Sequence, residues 1–257
     1  MALAPGHLIG QIIGNVLEEA LRPFLQEIAD RHDLYLDLQR PRPGVRTGSK
    51  VSWTDDLGNV HDLDFVLERG GSHVKQGVPA AFIESAWRRY TKHSRAKAQE
   101  IQGAVLPVVQ KWSEVGPVPA AVVAGEWSAP SLTQLRTSGF LVSHLNFAAT
   151  VAAFAASDID IRGSGEGTSD DFWQQQIDTF MALTGAQRTE LSERLRNDNY
   201  AELATFAEEL ERRVVRQVAS IVLLPLHGRA IAYQTVEAAI AGVQSYAGLD
   251  VVPRQVV

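Results

Sequence analysis

Two runs of alternating residues, joined by a glycine-rich connector, constrain this chain more than anything else in it. In residues 61–68, Asp62, Asp64 and Val66 alternate with Leu63, Phe65 and Leu67. In residues 79–87, Phe82, Glu84 and Ala86 alternate with Ala81, Ile83, Ser85 and Trp87. Period-2 alternation over such lengths argues for strands. The connector, residues 69–78, carries the turn residues Gly70, Gly71 and Gly77. A turn centred near Val74 pairs the runs antiparallel and sets Asp64 opposite Glu84, with Cβ atoms ~5 Å apart. Carboxylates that close repel, and a bound divalent cation is a physical reason for a sheet to hold them. Hard cations such as Mg²⁺ prefer carboxylate oxygens. The stretch that follows, WRRYTKHSRAK, adds Arg88, Arg89, Lys92, His93, Arg95 and Lys97. An acidic metal site beside a basic strip suits hydrolysis of a phosphodiester.

Composition sets outer limits. With 257 residues, 45% apolar and 21% charged, the chain reads as a soluble globular protein of one large or two small domains. The lack of cysteine excludes disulfides, thiolate zinc sites and a cysteine nucleophile, and fits a reducing cytoplasm. The opening MALAPGHLIGQIIG has neither a basic start nor a clear cleavage site, so no signal peptide is expected. No run approaches the ~20 apolar residues of a membrane span, and no membrane partner is expected. The net charge of −6 argues mildly against nucleic acid. DNA, however, responds to the local field rather than the total. The cations concentrate in residues 87–97, and the acidic excess lies in 158–171 and 202–211.

Residues 7–31 read as an amphipathic helix, with Leu8, Ile12, Val16, Ala20, Phe24 and Ile28 near helical spacing. Leu34, Leu36 and Leu38 alternate briefly. Residues 40–50, with Pro41, Pro43, Gly44, Arg40, Arg42, Arg46 and Lys50, form a basic loop that either reaches a DNA backbone or is an exposed connector. Residues 51–53 and 60–68 suggest a hairpin turning at 55–59. Ser94 is the expected N-cap of a helix over 95–112, buried at Ala98, Ile101, Val105 and Val108 and bent or bounded at Pro107. The run AAVVAGEW, residues 120–127, suits a strand buried on both faces, so residues 84–127 read as a right-handed parallel crossover. A short helix over 131–138, a strand over 140–147 holding a core or edge His144, and a helix over 148–156 repeat the pattern. Residues 158–171 begin like a calcium loop but place Arg162 and Ser169 where ligands are required, and read as a surface linker. Residues 170–213 look helical, 214–226 and 229–233 strand-like, and 235–246 an apolar helix.

Asp64, then Glu84 at a strand end, then a basic helix, resembles the PD-(D/E)xK nuclease superfamily, with type II restriction endonucleases as its most similar members. The resemblance rests on a short, degenerate motif and on the order of elements across residues 1–157. It implies an α/β fold: a mixed central sheet flanked by helices, a restriction-endonuclease-like core at 1–157. Residues 158–257 then form a mostly helical C-terminal region, either part of the same domain or serving dimerisation or DNA recognition. It further implies a cytoplasmic, homodimeric, Mg²⁺-dependent endodeoxyribonuclease that cuts double-stranded DNA at a specific site. Asp64 and Glu84 would hold Mg²⁺, with the main-chain oxygen of Ser85 completing the shell. The motif wants lysine two residues after the glutamate, and this chain has Ala86. Lys97 is the expected replacement, with Lys92 and Arg88 as alternatives. Arg88, Arg89, Lys92 and Arg95 are expected on DNA phosphates. Asp62 is the substitute for Asp64, and Glu100 and Gln102 supply the polar helix face that family members often carry. An acidic residue of the first helix sometimes joins the family's site, making Glu19 a candidate against its reading as a solvated helix face. Two other readings remain: a non-catalytic DNA-binding protein on the same fold, which Ala86 favours, and a helical interaction protein unconnected to DNA, which the net charge favours.

Overall fold

A computed structural model of the protein describes residues 4–165, 167–215, 220–226 and 228–246. The first helix, α1, is Pro5–Arg31. Pro5 stands at its first turn, where the missing N–H costs nothing. Pro23 lies inside it, yet the helix continues. The reason is the stripe Ile9, Ile12, Ile13, Val16, Leu17, Leu21, Leu25 and Ile28, all buried. Each is worth about 1.5–3 kcal/mol relative to exposure, which together outweighs the roughly 3 kcal/mol an interior proline costs.

Then come β1 (Leu34–Leu38), β2 (Val51–Thr54), β3 (Val60–Leu63), β4 (Phe65–Arg69) and β5 (Val78–Arg88). A 3-10 turn at Thr91–His93 leads into α2 (Ser94–Lys111), followed by β6 (Val118–Gly125), α3 (Ala129–Thr137), β7 (Leu141–Leu145) and α4 (Phe147–Ala155). Three helices complete this part: α5 (Asp170–Ala182), α6 (Gly185–Asp198) and α7 (Tyr200–Val214).

The central sheet has the order β1-β4-β5-β6-β7. Pairs β1/β4 and β4/β5 are antiparallel, β5/β6 and β6/β7 parallel. The protein is therefore α/β, a mixed five-stranded sheet flanked by helices, with a helical later part. Both faces are covered, which is why β6 reads as an unbroken apolar run. Ile83, Trp87 and Val122 pack with α1 and the later helices on one face. Phe82, Ala86 and Val123 pack with α2, α3 and β2 on the other.

The structure differs from the sequence reading at several points. The run 61–68 is two strands: β3 leaves the central sheet to pair with β2, and β4 stays in it. Pro107 does not end α2, which runs on to Lys111 behind the buried Ala98, Ile101, Val105 and Val108. Ser94 is the first helical residue instead of the cap; its hydroxyl donates to the Thr91 carbonyl at 2.6 Å and meets the Ser131 hydroxyl. The expected surface linker is buried at its start, at Ile159 and Ile161. The boundary at 157/158 does not coincide with the compact units, which are Met1–Val214 and Val215–Val257. Trp173, Ile177, Leu191, Leu195, Leu203, Phe206 and Leu210 join the core of α1, so α5 to α7 belong with the sheet.

In the second unit, β8 (Ile221–Leu223) and β9 (Ile231–Tyr233) pair antiparallel. The helix α8, Val236–Gln244, is capped by the Thr235 hydroxyl. Of the strand expected over 214–226, Val214 closes α7 instead, and 216–219 lie outside the described residues.

Candidate active site

Asp64 sits where the alternating run breaks. Leu63 ends β3, Phe65 begins β4, and Asp64 belongs to neither. One step beyond the Phe65–Ile83 pair, it faces Glu84. The two are locked by crossed main-chain contacts. The Asp64 N–H donates to Glu84 Oε1 at 3.3 Å. The Ser85 N–H and hydroxyl donate to Asp64 Oδ2 at 2.7 and 3.1 Å. Asp64 Oδ1 and Glu84 Oε2 accept no hydrogen bond among the described residues.

The electrostatics are unfavourable to charge. Glu84 is only 7% exposed. Burial, then the Asp64 charge, raises its pKa well above the ordinary value. Burial also raises Asp64, against the Ser85 hydrogen bonds. The Lys97 charge opposes both shifts. Lys97 stands in the first turn of α2, its side chain 17% exposed, donating to Glu100 Oε1 at 2.7 Å. The structure thus brings Asp64, Glu84, Ser85 and Lys97 together.

The first helix does contribute an acid, and it is Glu18 rather than Glu19. Burial and the Asp64 charge push Glu18 up to about 7. Glu19 is exposed and pairs with Arg22 at 3.3 Å. Helical phase carries the signal: Glu18 borders the buried Leu17 and Leu21, and Glu19 lies about 100° further round. Asp62 is exposed on the β2–β3 hairpin, bonded to Lys50 at 2.6 Å and Ser52 at 2.7 Å. Gln102 turns to α3, where it bonds Ser138 and accepts from Gln134 at 2.6 Å.

The basic residues divide. Arg89 is half-buried: it donates to the Ile161 carbonyl at 3.0 Å, and its guanidinium lies 3.7 Å from the Trp173 ring centre. These contacts occupy the guanidinium that was expected on a phosphate. Arg88 is half-buried, donating to the Trp87 carbonyl at 2.9 Å with Glu100 at 3.7 Å. Lys92 and Arg95 are exposed around the start of α2. The basic loop 40–50 is neither exposed connector nor DNA arm throughout. Arg42, 0% exposed, bonds Asp37 at 2.7 Å, both Glu68 oxygens at 2.6 and 2.9 Å, and the Ser72 and Lys75 carbonyls. Arg46 grips both Asp37 oxygens at 2.6 and 2.9 Å.

A cleft of about 900 Å³ lies beside Lys97 and Glu100, walled by the start of α1, the end of β5, the start of α2 and the segment around Thr168 to Trp173. Among the described residues no three His, Asp or Glu side chains already converge as one metal shell. Two opposed carboxylates fit Mg²⁺ nonetheless, since that ion commonly takes one or two protein carboxylates and keeps several waters. Each of the two keeps an oxygen without a donor among the described residues, and burial resists the charge of both.

No protein-family model matches the chain, and no curated protein is similar to it. Among solved structures, one titled "Crystal Structure of Protein of Unknown Function AF1548" is similar at 10% identity and a TM-score of 0.33, covering 77% of this chain and 98% of that one. Among the described residues no helix is long and apolar enough to cross a membrane.

Proposed function

We propose that the protein is a Mg²⁺-dependent endodeoxyribonuclease of the type II restriction kind, acting on double-stranded DNA as a homodimer in the cytoplasm. One observation carries this reading: Asp64, fixed by Ser85, faces the buried Glu84 while the Lys97 charge acts on both. Asp64 and Glu84 would hold the ion, with the Ser85 carbonyl as a further oxygen donor. Mg²⁺ bound there supplies a Lewis acid that lowers the pKa of water and offsets charge developing on the phosphate. The chain does the rest. Ser85 orients Asp64 through two hydrogen bonds. Lys97 stands in for the lysine that Ala86 replaces; Ala86 is 4% exposed and packs in the α2-facing core. A long lysine stem lets the ammonium reach a phosphate oxygen from the helix. Glu18 adds negative charge on the α1 side of the same site.

The test is incubation of assorted duplex DNAs with and without Mg²⁺, followed by mapping of the ends. Discrete Mg²⁺-dependent cuts, lost in Glu84→Gln, are expected; full cleavage by Glu84→Gln would remove that residue from the mechanism. In single turnover with bound DNA, Lys97→Ala should slow the cut far more than it weakens binding. A second reading, a DNA-binding protein without catalysis, draws on Ala86; salt-dependent binding with no metal-dependent cleavage would select it.

A further inference from the structure

The cleft beside Lys97 is more than an entrance to the carboxylates. Its floor is α1, where His7, Gly10 and Gln11 line it, and its opposite wall carries Tyr90 and His93. A side chain added at Gly10 would meet nothing within 4 Å, so the space above the helix is open. His93 and Gln11 are exposed, and Tyr90 is half-buried with its hydroxyl donating to the Gly165 carbonyl at 2.6 Å. The Tyr90 and His93 rings lie 6.4 Å apart, centre to centre.

We infer that this cleft takes an unpaired stretch of a DNA strand, about one or two nucleotides long, and delivers its phosphate to Lys97. The size fits: pockets of about 300–1,000 Å³ bury ligands of drug size, the scale of a nucleotide or a dinucleotide. The walls set the pairing state. A cleft of about 900 Å³ has room for one or two nucleotides of a single strand and not for a duplex, so the complement stays outside. The lining suits bases freed from a duplex. Imidazole and phenol rings offer stacking faces that accept any base, and His7, Gln11 and His93 offer hydrogen-bonding groups for base edges. Lys97 then stands where this cleft meets the carboxylates.

The inference rests on the nuclease reading and narrows its substrate: the scissile strand must be frayed, flapped or locally opened at the cut. The experiment reads binding and cleavage separately. Labelled single strand, blunt duplex and the same duplex with a short single-stranded flap are titrated by anisotropy with Ca²⁺ in place of Mg²⁺. Cleavage of each is then followed with Mg²⁺. Wild type is compared with Gly10→Leu, which fills the cleft floor while replacing a poor helix former by a good one, and with Gly103→Leu as a control, the same replacement at an exposed position of α2 outside the cleft. Flap and single strand should bind about tenfold tighter than blunt duplex, the scale of one base stack on a side chain. Gly10→Leu should erase that difference with its melting temperature unchanged or higher, and Gly103→Leu should keep it. Equal binding of all three DNAs, or an unchanged preference in Gly10→Leu, overturns the inference even if Mg²⁺ cleavage is found. Preferential binding of unpaired DNA, abolished by Gly10→Leu but with nothing ever cut, upholds the cleft and sinks the nuclease reading.

Discussion

Two acidic clusters flank the hairpin of β4 and β5, and they are built on opposite principles. Toward the turn, Asp37 and Glu68 are buried with Arg42 and Arg46. Two negative charges meet two positive ones, and Glu68 also accepts from the Gly77 N–H at 2.6 Å. At the other end, Asp64 and Glu84 share the charge of Lys97, which already bonds Glu100, and the Asp64 charge also bears on Glu18. The first cluster follows the rule that a buried charge is tolerated when it is paired and hydrogen-bonded. The second breaks it, and the cost appears as three carboxyls whose ionisation is resisted. Charge left uncompensated in a folded chain marks a place where a ligand's charge is wanted. One end of the hairpin holds the loop and the turn together; the other leaves its carboxyls short of positive charge, which the proposed Mg²⁺ would supply.

The sharpest way to break this comparison is to damage the paired cluster. Arg42→Ala leaves Asp37 and Glu68 buried with only Arg46 nearby, which costs about 3–5 kcal/mol, as for other severed buried ion pairs. Urea denaturation of the two proteins measures it. A loss below about 1 kcal/mol would mean the network is no more than a surface ion pair in effect.

The same measurement at the other end should have the opposite sign. Glu84→Gln removes a charge that burial and Asp64 both resist. Stability without metal at pH 8 should rise by about 1–2 kcal/mol, the range typical of relieving strain at a functional site, while Mg²⁺-dependent cleavage falls by a factor of about 10² or more. A destabilised Glu84→Gln would show that its carboxylate is structural, like Glu68.

How much of this was legible in the sequence follows from the distances involved. The pairing of Asp64 with Glu84 was readable because alternation and a short turn are local signals. The mixed sheet followed from strand–helix–strand order. The burial of Arg42 was not readable, since RPRPGVR resembles any exposed proline-rich loop. Its partners are 26 to 33 residues downstream at Glu68, Ser72 and Lys75. The contact of Arg89 with Trp173 was unreadable for the same reason: the tryptophan comes from a helix 84 positions further on in the chain. Which of Glu18 and Glu19 faces the site turned on one residue of helical phase, and local charge content says nothing about that.

pH gives a third test of the unpaired cluster. The folded chain holds Glu18 protonated up to about 7, whereas the unfolded chain releases that proton near the ordinary value of 4.5. Between those values the folded state binds more protons, so stability falls as pH rises. The contribution is fully present below about 4.5 and lost as pH passes about 7. The upward shifts of Asp64 and Glu84 have the same sign. The Glu18 share is on the order of 3 kcal/mol at most, from its shift alone. Melting temperatures of wild type and Glu18→Gln, taken in EDTA from pH 5 to 8, isolate it: the wild type should lose stability across that window and the variant should lose less. Mg²⁺ should flatten the wild-type curve by supplying the missing positive charge. Parallel curves for the two proteins would place Glu18 outside the cluster.

The smallest effect concerns the basic residues, which divide into a half-buried arginine and exposed cations near the start of α2. Arg89 is stapled to Trp173 and the Ile161 carbonyl, and burial lowers its pKa. Lys92 and Arg95 are exposed near the start of α2. A phosphate contact releases a counterion, so each one lost reduces the slope of log affinity against log salt by about one unit. Lys92→Ala and Arg95→Ala should each reduce the slope on DNA by about that amount, and Arg95→Ala should leave the melting temperature alone. Arg89→Ala should do the reverse, lowering the melting temperature through lost packing on Trp173 while leaving the salt slope where it was. If Arg89→Ala flattens the slope as well, its guanidinium leaves Trp173 for a phosphate when DNA binds. If neither exposed cation changes it, the DNA face lies away from α2, and the exposed Arg40 and Lys50 become the next cations to replace.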